Sequence, residues 1–342
     1  MDRKKTEISD YGKVGLINHL TDNIQLKNDS SLVGIGDDAA VLAYPEKNIL
    51  ITNKILLEGI HFDLTFVPLM HLGYKSAIVN FSDIYAMNGM PKQIILSIGV
   101  SKRFSVEDLE DFYAGVQKAC DNYGVDLVGG DTSSSLTGLT ISLTCIGEVE
   151  KGKEVLRSGA KENDIICVTG DLGASYMGLQ LLEREKQVFN KKADPTPDFA
   201  GKEYLLQRQL RPEARKDIIE LLAQENIVPS SMINISDGLS SEILHICKGS
   251  HCGCRIYEDK IPIDYQTATM AEEMNMNLSV AALNGGEDYE LLFTIPLSMN
   301  SQISKLDDIH PIGYICSKDK GIRLISRDQK EFDLIAQGWK SL

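Results

Sequence analysis

The chain has 342 residues, 43% of them hydrophobic and 25% charged, with a formal net charge of −14. Its length exceeds that of one compact domain, and its balance is that of a soluble globular protein rather than a disordered or membrane-embedded one. The negative charge excludes a protein that tracks a nucleic-acid backbone, because such a protein must supply cations along its length.

In chain order, the opening Met1-Asp2-Arg3-Lys4-Lys5 runs into polar sequence rather than an apolar signal core. No window approaches the roughly 18 unbroken apolar residues of a spanning helix. Seven cysteines without framework spacing suit free thiols in a reducing compartment. A cytoplasmic protein is expected. Ser105-Val106-Glu107-Asp108 resembles a capping box, and Val106, Leu109, Phe112, Tyr113, Val116, Cys120 and Tyr123 then recur at helical spacing up to Gly124, which predicts an amphipathic helix. The apolar run Val125 to Val128 predicts a strand ending in Gly129-Gly130-Asp131-Thr132. Ile141, Leu143 and Cys145 alternate with Thr140, Ser142 and Thr144 in another. The charged stretch Lys151-Gly152-Lys153-Glu154 is the expected boundary between domains over 1–150 and 151–342.

The second half repeats one pattern. Ile165 to Val168 predicts a buried strand, Gly170-Asp171-Leu172-Gly173 a tight turn, and Ala174 to Glu185 a helix; Met232 to Ile235, Ser236-Asp237-Gly238 and Leu239 to Lys248 read the same way. Strand, glycine turn and helix form an α/β signature. Lys191-Lys192-Ala193-Asp194-Pro195-Thr196-Pro197 predicts a surface loop.

Acidic residues beside glycines recur through the chain: Gly34-Ile35-Gly36-Asp37-Asp38-Ala39-Ala40, Gly129-Gly130-Asp131, Ser236-Asp237-Gly238 and Gly285-Gly286-Glu287-Asp288, with Ser82-Asp83 grouped among them. Each is expected at the end of a strand. There a sharp turn lets a short carboxylate and the backbone approach a ligand. Mg²⁺ takes a few carboxylates plus phosphate oxygens and water, so such loops converging would hold a metal-bound nucleotide, and the ions would offset the protein's own negative charge. Any one loop is also an ordinary turn; the set of five is what points to a site.

Gly34-Ile35-Gly36-Asp37-Asp38-Ala39 also fits a dinucleotide fingerprint, but Pro45 follows within about a turn and two carboxylates would face the pyrophosphate. A P-loop and the protein-kinase signatures are absent. His245, Cys247, His251, Cys252 and Cys254 match no common zinc spacing, and Cys247 falls on a predicted helix, where a buried thiol is ordinary.

Together with Glu58-Gly59-Ile60-His61-Phe62, Asn80-Phe81-Ser82-Asp83, Arg157-Ser158-Gly159-Ala160 and Gly285-Gly286-Glu287-Asp288-Tyr289-Glu290-Leu291, these segments resemble, in order and spacing, the thiamine-monophosphate kinase family of the aminoimidazole ribonucleotide synthetase and selenophosphate synthetase superfamily. The resemblance implies a two-domain α/β (α+β) fold like aminoimidazole ribonucleotide synthetase, with the N-terminal sheet forming a homodimer interface, metal and ATP bound by the N-terminal domain, and a C-terminal α/β domain completing the cleft. It implies ATP as co-substrate, several Mg²⁺ ions, and thiamine monophosphate as acceptor. By position, Asp38, Thr52, Asp83, Asp131 and Asp237 resemble metal ligands, while Gly130, Asp131, Arg157 and Ser236 resemble ATP contacts. His61, Glu287 and Trp339 resemble substrate contacts. A phosphate monoester is already ionised near neutrality, so as a nucleophile it needs no dedicated base, which suits a chain without a Ser-His-Asp or Cys-His set.

The chain departs from the family pattern where Thr52-Asn53-Lys54 replaces Ser or Thr, Thr, Asp, and where Asn234-Ile235-Ser236-Asp237-Gly238 replaces Asp-x-Ser-Asp-Gly. Lys54 puts an ammonium, and Asn234 a neutral amide, at expected ligand positions, and Asn53, beside Lys54, is a third altered position. Two readings follow: a kinase using fewer ions, or a nucleotide-binding relative without turnover. A superfamily enzyme with another substrate is the third. Selenophosphate synthesis is disfavoured because no cysteine precedes Gly34.

Overall fold

The computed structural model describes residues 6, 16, 19–33, 41–189 and 197–336. The chain divides into two compact units, one of Met1–Tyr85 and Gly89–Gly152, the other of Ala86–Asn88 and Lys153–Leu342. Near the start, β1 (Ser31–Val33) and β2 (Val41–Leu42) pair antiparallel.

The first unit continues with β3 (Lys47–Leu57), α1 (Leu69–Tyr85), β4 (Met90–Val100), α2 (Val106–Tyr123), β5 (Asp126–Ser134) and β6 (Leu139–Glu150). Its four strands lie in the order β3-β6-β4-β5. Strand β6 runs antiparallel to both neighbours, whereas β4 and β5 are parallel and joined through α2, as parallel strands require a crossover. Along β6, Leu139, Ile141, Leu143 and Cys145 are buried while the intervening threonines and serine are half-buried, as the alternation predicts. Helix α2 also forms as expected. Ser105 accepts from the Asp108 amide, the Asp108 carboxylate accepts from the Ser105 amide, and Gly124 closes the C-terminus at φ 69°.

Helices α1 and α2 cross at glycines. A Cβ on Gly73 would lie 2.0 Å from the Phe112 carbonyl oxygen, and one on Gly115 would lie 1.9 Å from that of Met70. Phe81, Ile84 and Tyr85 bury the neighbouring turn of α1. Two expectations are corrected here. Ser82-Asp83 lies inside α1 rather than at a strand end, because Leu72, Ile78, Phe81 and Tyr85 recur at helical spacing and no adjacent glycine breaks the helix. Strand β5 continues through Gly129-Gly130-Asp131 to Ser134, since these residues pair in register with β4 from Ile95 to Val100; tertiary pairing overrides the turn tendency of glycine.

The second unit holds β7 (Ile165–Thr169), α3 (Ala174–Phe189), α4 (Glu203–Leu210), α5 (Lys216–Gln224), β8 (Ser231–Asn234), α6 (Leu239–Ser250), β9 (Gly253–Tyr257), α7 (Tyr265–Glu273), α8 (Leu278–Asn284), β10 (Leu291–Ile295), α9 (Asn300–Ile303), β11 (Ile309–Cys316), β12 (Ile322–Ile325) and β13 (Glu331–Asp333). Both predicted strand, turn and helix units are present. They are not adjacent, however: in the sheet order β13-β12-β9-β11-β7-β10-β8, strand β10 separates β7 from β8 and runs antiparallel to each. The main core packs Ile166, Val168, Ile233, Ile235 and Leu292 against Leu239, Ile243 and Ile246 of α6. A second cluster joins α3, α4, α7 and α8 through Met177, Leu181, Leu205, Met270 and Ala281.

Candidate active site

In the first unit, alternation along β3 turns Thr52 and Lys54 to one face and Ile51, Asn53 and Ile55 to the other. Asp83, projecting from α1, accepts from Thr52 Oγ1 at 2.6 Å and lies 3.0 Å from Lys54 Nζ through the same Oδ2 atom. Asn53 donates to Thr144 Oγ1 at 2.8 Å and to Ser142 Oγ at 3.3 Å. On β5, Gly130 allows a close strand approach: a Cβ there would lie 1.9 Å from the Leu96 carbonyl oxygen. The next residue, Asp131, is exposed and its Oδ1 accepts from the Thr132 amide at 2.9 Å.

Strands β3 and β5 are three strand spacings apart, about 14 Å. Thr52 and Lys54 therefore stand with Asp83 at one edge of the sheet and Asp131 at the other. Among the described residues no three His, Cys, Asp or Glu side chains gather to hold one ion. His61 lies in the turn at Gly59 (φ 80°), exposed, with Nδ1 accepting from the Leu57 amide at 3.0 Å. That bond places the proton of the neutral ring on Nε2. Asp38 and Trp339 lie outside the described residues.

Sequence reasoning missed Asp126. It is buried at the start of β5 and accepts from the amides of Lys27 and Asn28 and the hydroxyl of Ser31, fixing the segment that ends in β1. A lone aspartate inside the apolar run Val125 to Val128 is the signal that could have marked it.

In the second unit the antiparallel insertion of β10 has a direct consequence. Its N-terminal end meets the C-terminal ends of β7 and β8, with Leu291 opposite Asn234 and Leu292 opposite Val168. Three loops thereby gather at one end of the sheet: Gly170–Gly173, Ile235–Gly238 and Gly285–Glu290. The Glu287 amide donates to the Ser236 carbonyl at 2.8 Å, and the Tyr289 amide to that of Ile235 at 2.9 Å. A Cβ on Gly286 (φ 73°) would lie 2.6 Å from the Ser236 carbonyl oxygen, so glycine is required there. Glu287 and Tyr289 themselves adopt φ of 58° and 54°, strained for side-chain-bearing residues.

Buried charges hold that strain. Asp288 is 1% exposed; its carboxylate accepts from the amides of Gly173 at 2.9 Å and Ser175 at 3.3 Å, at the start of α3. Burial pushes its carboxyl up to about 7 against the opposing pull of Arg208. Glu290, equally buried, receives Arg208 and Arg215 and the Thr169 hydroxyl; these partners hold its carboxyl below the usual range although burial works the other way. Glu242, in the first turn of α6, accepts from the amides of Ser236 and Asp237 at 3.3 and 2.9 Å and so shapes the Ser236-Asp237-Gly238 turn. Burial raises its carboxyl.

Asp237 and Arg157 are exposed and Asn234 is 4% exposed on β8. Ser250 accepts from the amides of Gly159 and Ala160, each at 3.1 Å, and ties the Arg157–Ala160 segment to the C-terminal end of α6. His245, on α6, titrates below its ordinary range, first through burial and then through the Arg157 guanidinium, while Asp237 opposes that shift. Arg157 and Asp237 thus act on His245 in opposite directions. The second unit brings Ser236, Asp237 and Glu287 together, with Arg157 nearby.

Two sheets with flanking helices, and glycine turns gathered at one sheet end, define a two-unit α/β protein. Residues 36–149 match the family described as AIR synthase related protein, N-terminal domain. Thiamine-monophosphate kinase of Buchnera aphidicola subsp. Schizaphis graminum is 38% identical over 328 residues, 94% of this chain and 96% of the relative. The Bacillus subtilis enzyme of that name is 34% identical over 316 residues, covering 90% and 92%. A solved structure of AaThiL complexed with AMPPCP and TMP is 32% identical, with a TM-score of 0.75, covering 99% of this chain and 100% of that one. The chain belongs to the thiamine-monophosphate kinase family.

Proposed function

We propose that this protein transfers the γ-phosphoryl group of ATP to the phosphate of thiamine monophosphate, yielding thiamine diphosphate and ADP. One observation carries the reading: a relative that holds an ATP analogue and TMP matches this chain over 99% of its length. No helix among the described residues is long and apolar enough to cross a membrane. Seven free cysteines support a reducing, cytoplasmic setting. The exposed row Ile49, Ile51 and Ile55 on edge strand β3 supports a homodimer through that sheet face. On this reading residues 1–150 form the dimerising, metal- and ATP-binding domain, and 151–342 the C-terminal α/β domain.

The family implies magnesium, and the donor positions fit it unequally. Asp131 and Asp237 present exposed carboxylates, suited to a cation that keeps water and phosphate in its shell. Asp83 does not fit, because an ammonium stands 3.0 Å from its oxygen. Magnesium, when bound at such a carboxylate, would neutralise triphosphate charge. In the second unit Arg157 would offer a guanidinium fork to phosphate oxygens and Ser236 would bring backbone close to a nucleotide, with Glu287 as an acceptor contact. In the first unit Gly130 is the proposed nucleotide contact and His61 the proposed acceptor contact. The monoester dianion attacks in line and needs no base, so positioning and charge neutralisation supply the rate.

Incubating the purified chain with ATP, Mg²⁺ and thiamine monophosphate, followed by chromatography, should give thiamine diphosphate and ADP in equal amounts. Nucleotide binding without product would overturn the proposal in favour of a non-catalytic relative.

A further inference from the structure

We propose that the Lys54 ammonium is the resident cation of Asp83, standing on that carboxylate in place of a divalent ion and offering its remaining donors to a phosphate oxygen of bound nucleotide. The phosphate half rests on the kinase reading above; the cation half does not.

Two donors converge on one oxygen: Lys54 Nζ at 3.0 Å and Thr52 Oγ1 at 2.6 Å from Asp83 Oδ2. Both come from the same face of β3, two residues apart, so the strand's own pleat aims them together. Asp83 is fixed from the other side, because its neighbours Phe81, Ser82, Ile84 and Tyr85 are buried and α1 cannot rotate the carboxylate away. A magnesium ion would need this oxygen at about 2.0–2.1 Å within a near-octahedral shell. A second positive centre on the same oxygen opposes that arrangement, and an ammonium can never be a ligand, having three donors and no acceptor.

The pair is open toward solvent, with the Lys54 side chain 36% exposed and that of Asp83 19%. One N–H of Lys54 serves Asp83, which leaves donors on a long, flexible stem at the surface. An ammonium in that position is the point-charge type of phosphate contact. In a chain of net charge −14, a covalently attached cation also removes one ion from those that must be recruited before a triphosphate can bind.

Manganese binding to the full chain without nucleotide, counted by electron paramagnetic resonance, tests the cation half. Lys54→Asp should bind one more ion per chain than the natural protein, and the double variant Lys54→Asp, Asp83→Asn should lose it again. Lys54→Met serves as the second variant, also gaining an ion, should the facing carboxylates of the first prevent folding. Equal counts in the natural protein and in the folded variants would overturn the assignment. For the phosphate half, calorimetry with AMPPCP in saturating magnesium should show affinity about tenfold or more lower in the double variant Lys54→Met, Asp83→Asn, which recruits no replacement ion, than in Asp83→Asn alone, and affinity largely retained in Lys54→Arg; equal affinity in the double variant and in Asp83→Asn would overturn it. The manganese count involves no acceptor, so a failure to form thiamine diphosphate overturns the function proposed earlier and leaves this count standing.

Discussion

Asp288 carries the tightest coupling between charge and backbone in the second unit. It secures the start of α3 while sitting between two residues at positive φ. Because its carboxyl is raised to about 7 in the folded chain against 3.8 otherwise, its favourable contribution is fully present below about pH 4 and declines as pH rises through 7. Asp288→Asn replaces one acceptor with a donor facing a backbone amide and should cost about 1–3 kcal/mol. Urea denaturation at pH 5 and pH 8 should show the variant's deficit larger at the lower pH; an equal deficit at both would contradict the burial argument. Arg157 belongs to this scale too. Arg157→Met should weaken AMPPCP binding about tenfold and raise the His245 pKa, which a proton NMR titration would read. A His245 titration that stays where it was would separate Arg157 from that helix face.

At the scale of elements, the crossing of α1 and α2 leaves no room for a methyl group at Gly73 or Gly115. Gly115→Ala should lower stability by about 1–3 kcal/mol through overpacking despite alanine's better helix propensity. A variant as stable as the natural chain in thermal unfolding would show that the helices can separate freely. Elements were legible where their determinants are local. The Ser105 cap, the Gly124 stop, the alternation of Ile141 to Cys145 and the turns after Val168 and Ile235 all lie within a few residues of what they specify. Ser82-Asp83 was misplaced because its resemblance to the other acidic turns outweighed the helical spacing of Ile78, Phe81 and Tyr85. The extension of β5 past Gly129 depends on pairing with β4, and the Arg208 and Arg215 contacts to Glu290 span 82 and 75 residues. No local pattern encodes such partners. Individual site residues such as Ser236 and Glu287 were visible as turn chemistry, whereas the hydrogen bonds joining their loops follow only from the sheet order.

At the scale of the whole molecule, edge strand β3 exposes Ile49, Ile51 and Ile55 on a face shared with Asn53 and with their β6 partners Ser142, Thr144, Ile146 and Glu148. Among the described residues β3 is an edge strand, and in the proposed homodimer a second copy covers this row with its own. Ile51→Lys should therefore leave the fold intact and shift the protein from dimer to monomer in sedimentation. A natural chain already monomeric at micromolar concentration, or an unaffected variant, would refute the dimer.

The placement of β10 also bears on how the protein reaches its working form. Leu292 pairs with Val168 on one side and Ile233 on the other, and the Glu287 turn docks on Ser236 where that strand begins. Closing loops of that length is slow. During refolding from denaturant, the capacity to capture a fluorescent nucleotide should therefore emerge in the last kinetic phase, after helical circular dichroism has recovered; a newborn chain whose synthesis stops short of Leu291 would contain the Gly170–Gly173 and Ser236–Gly238 turns and still lack the strand that assembles them.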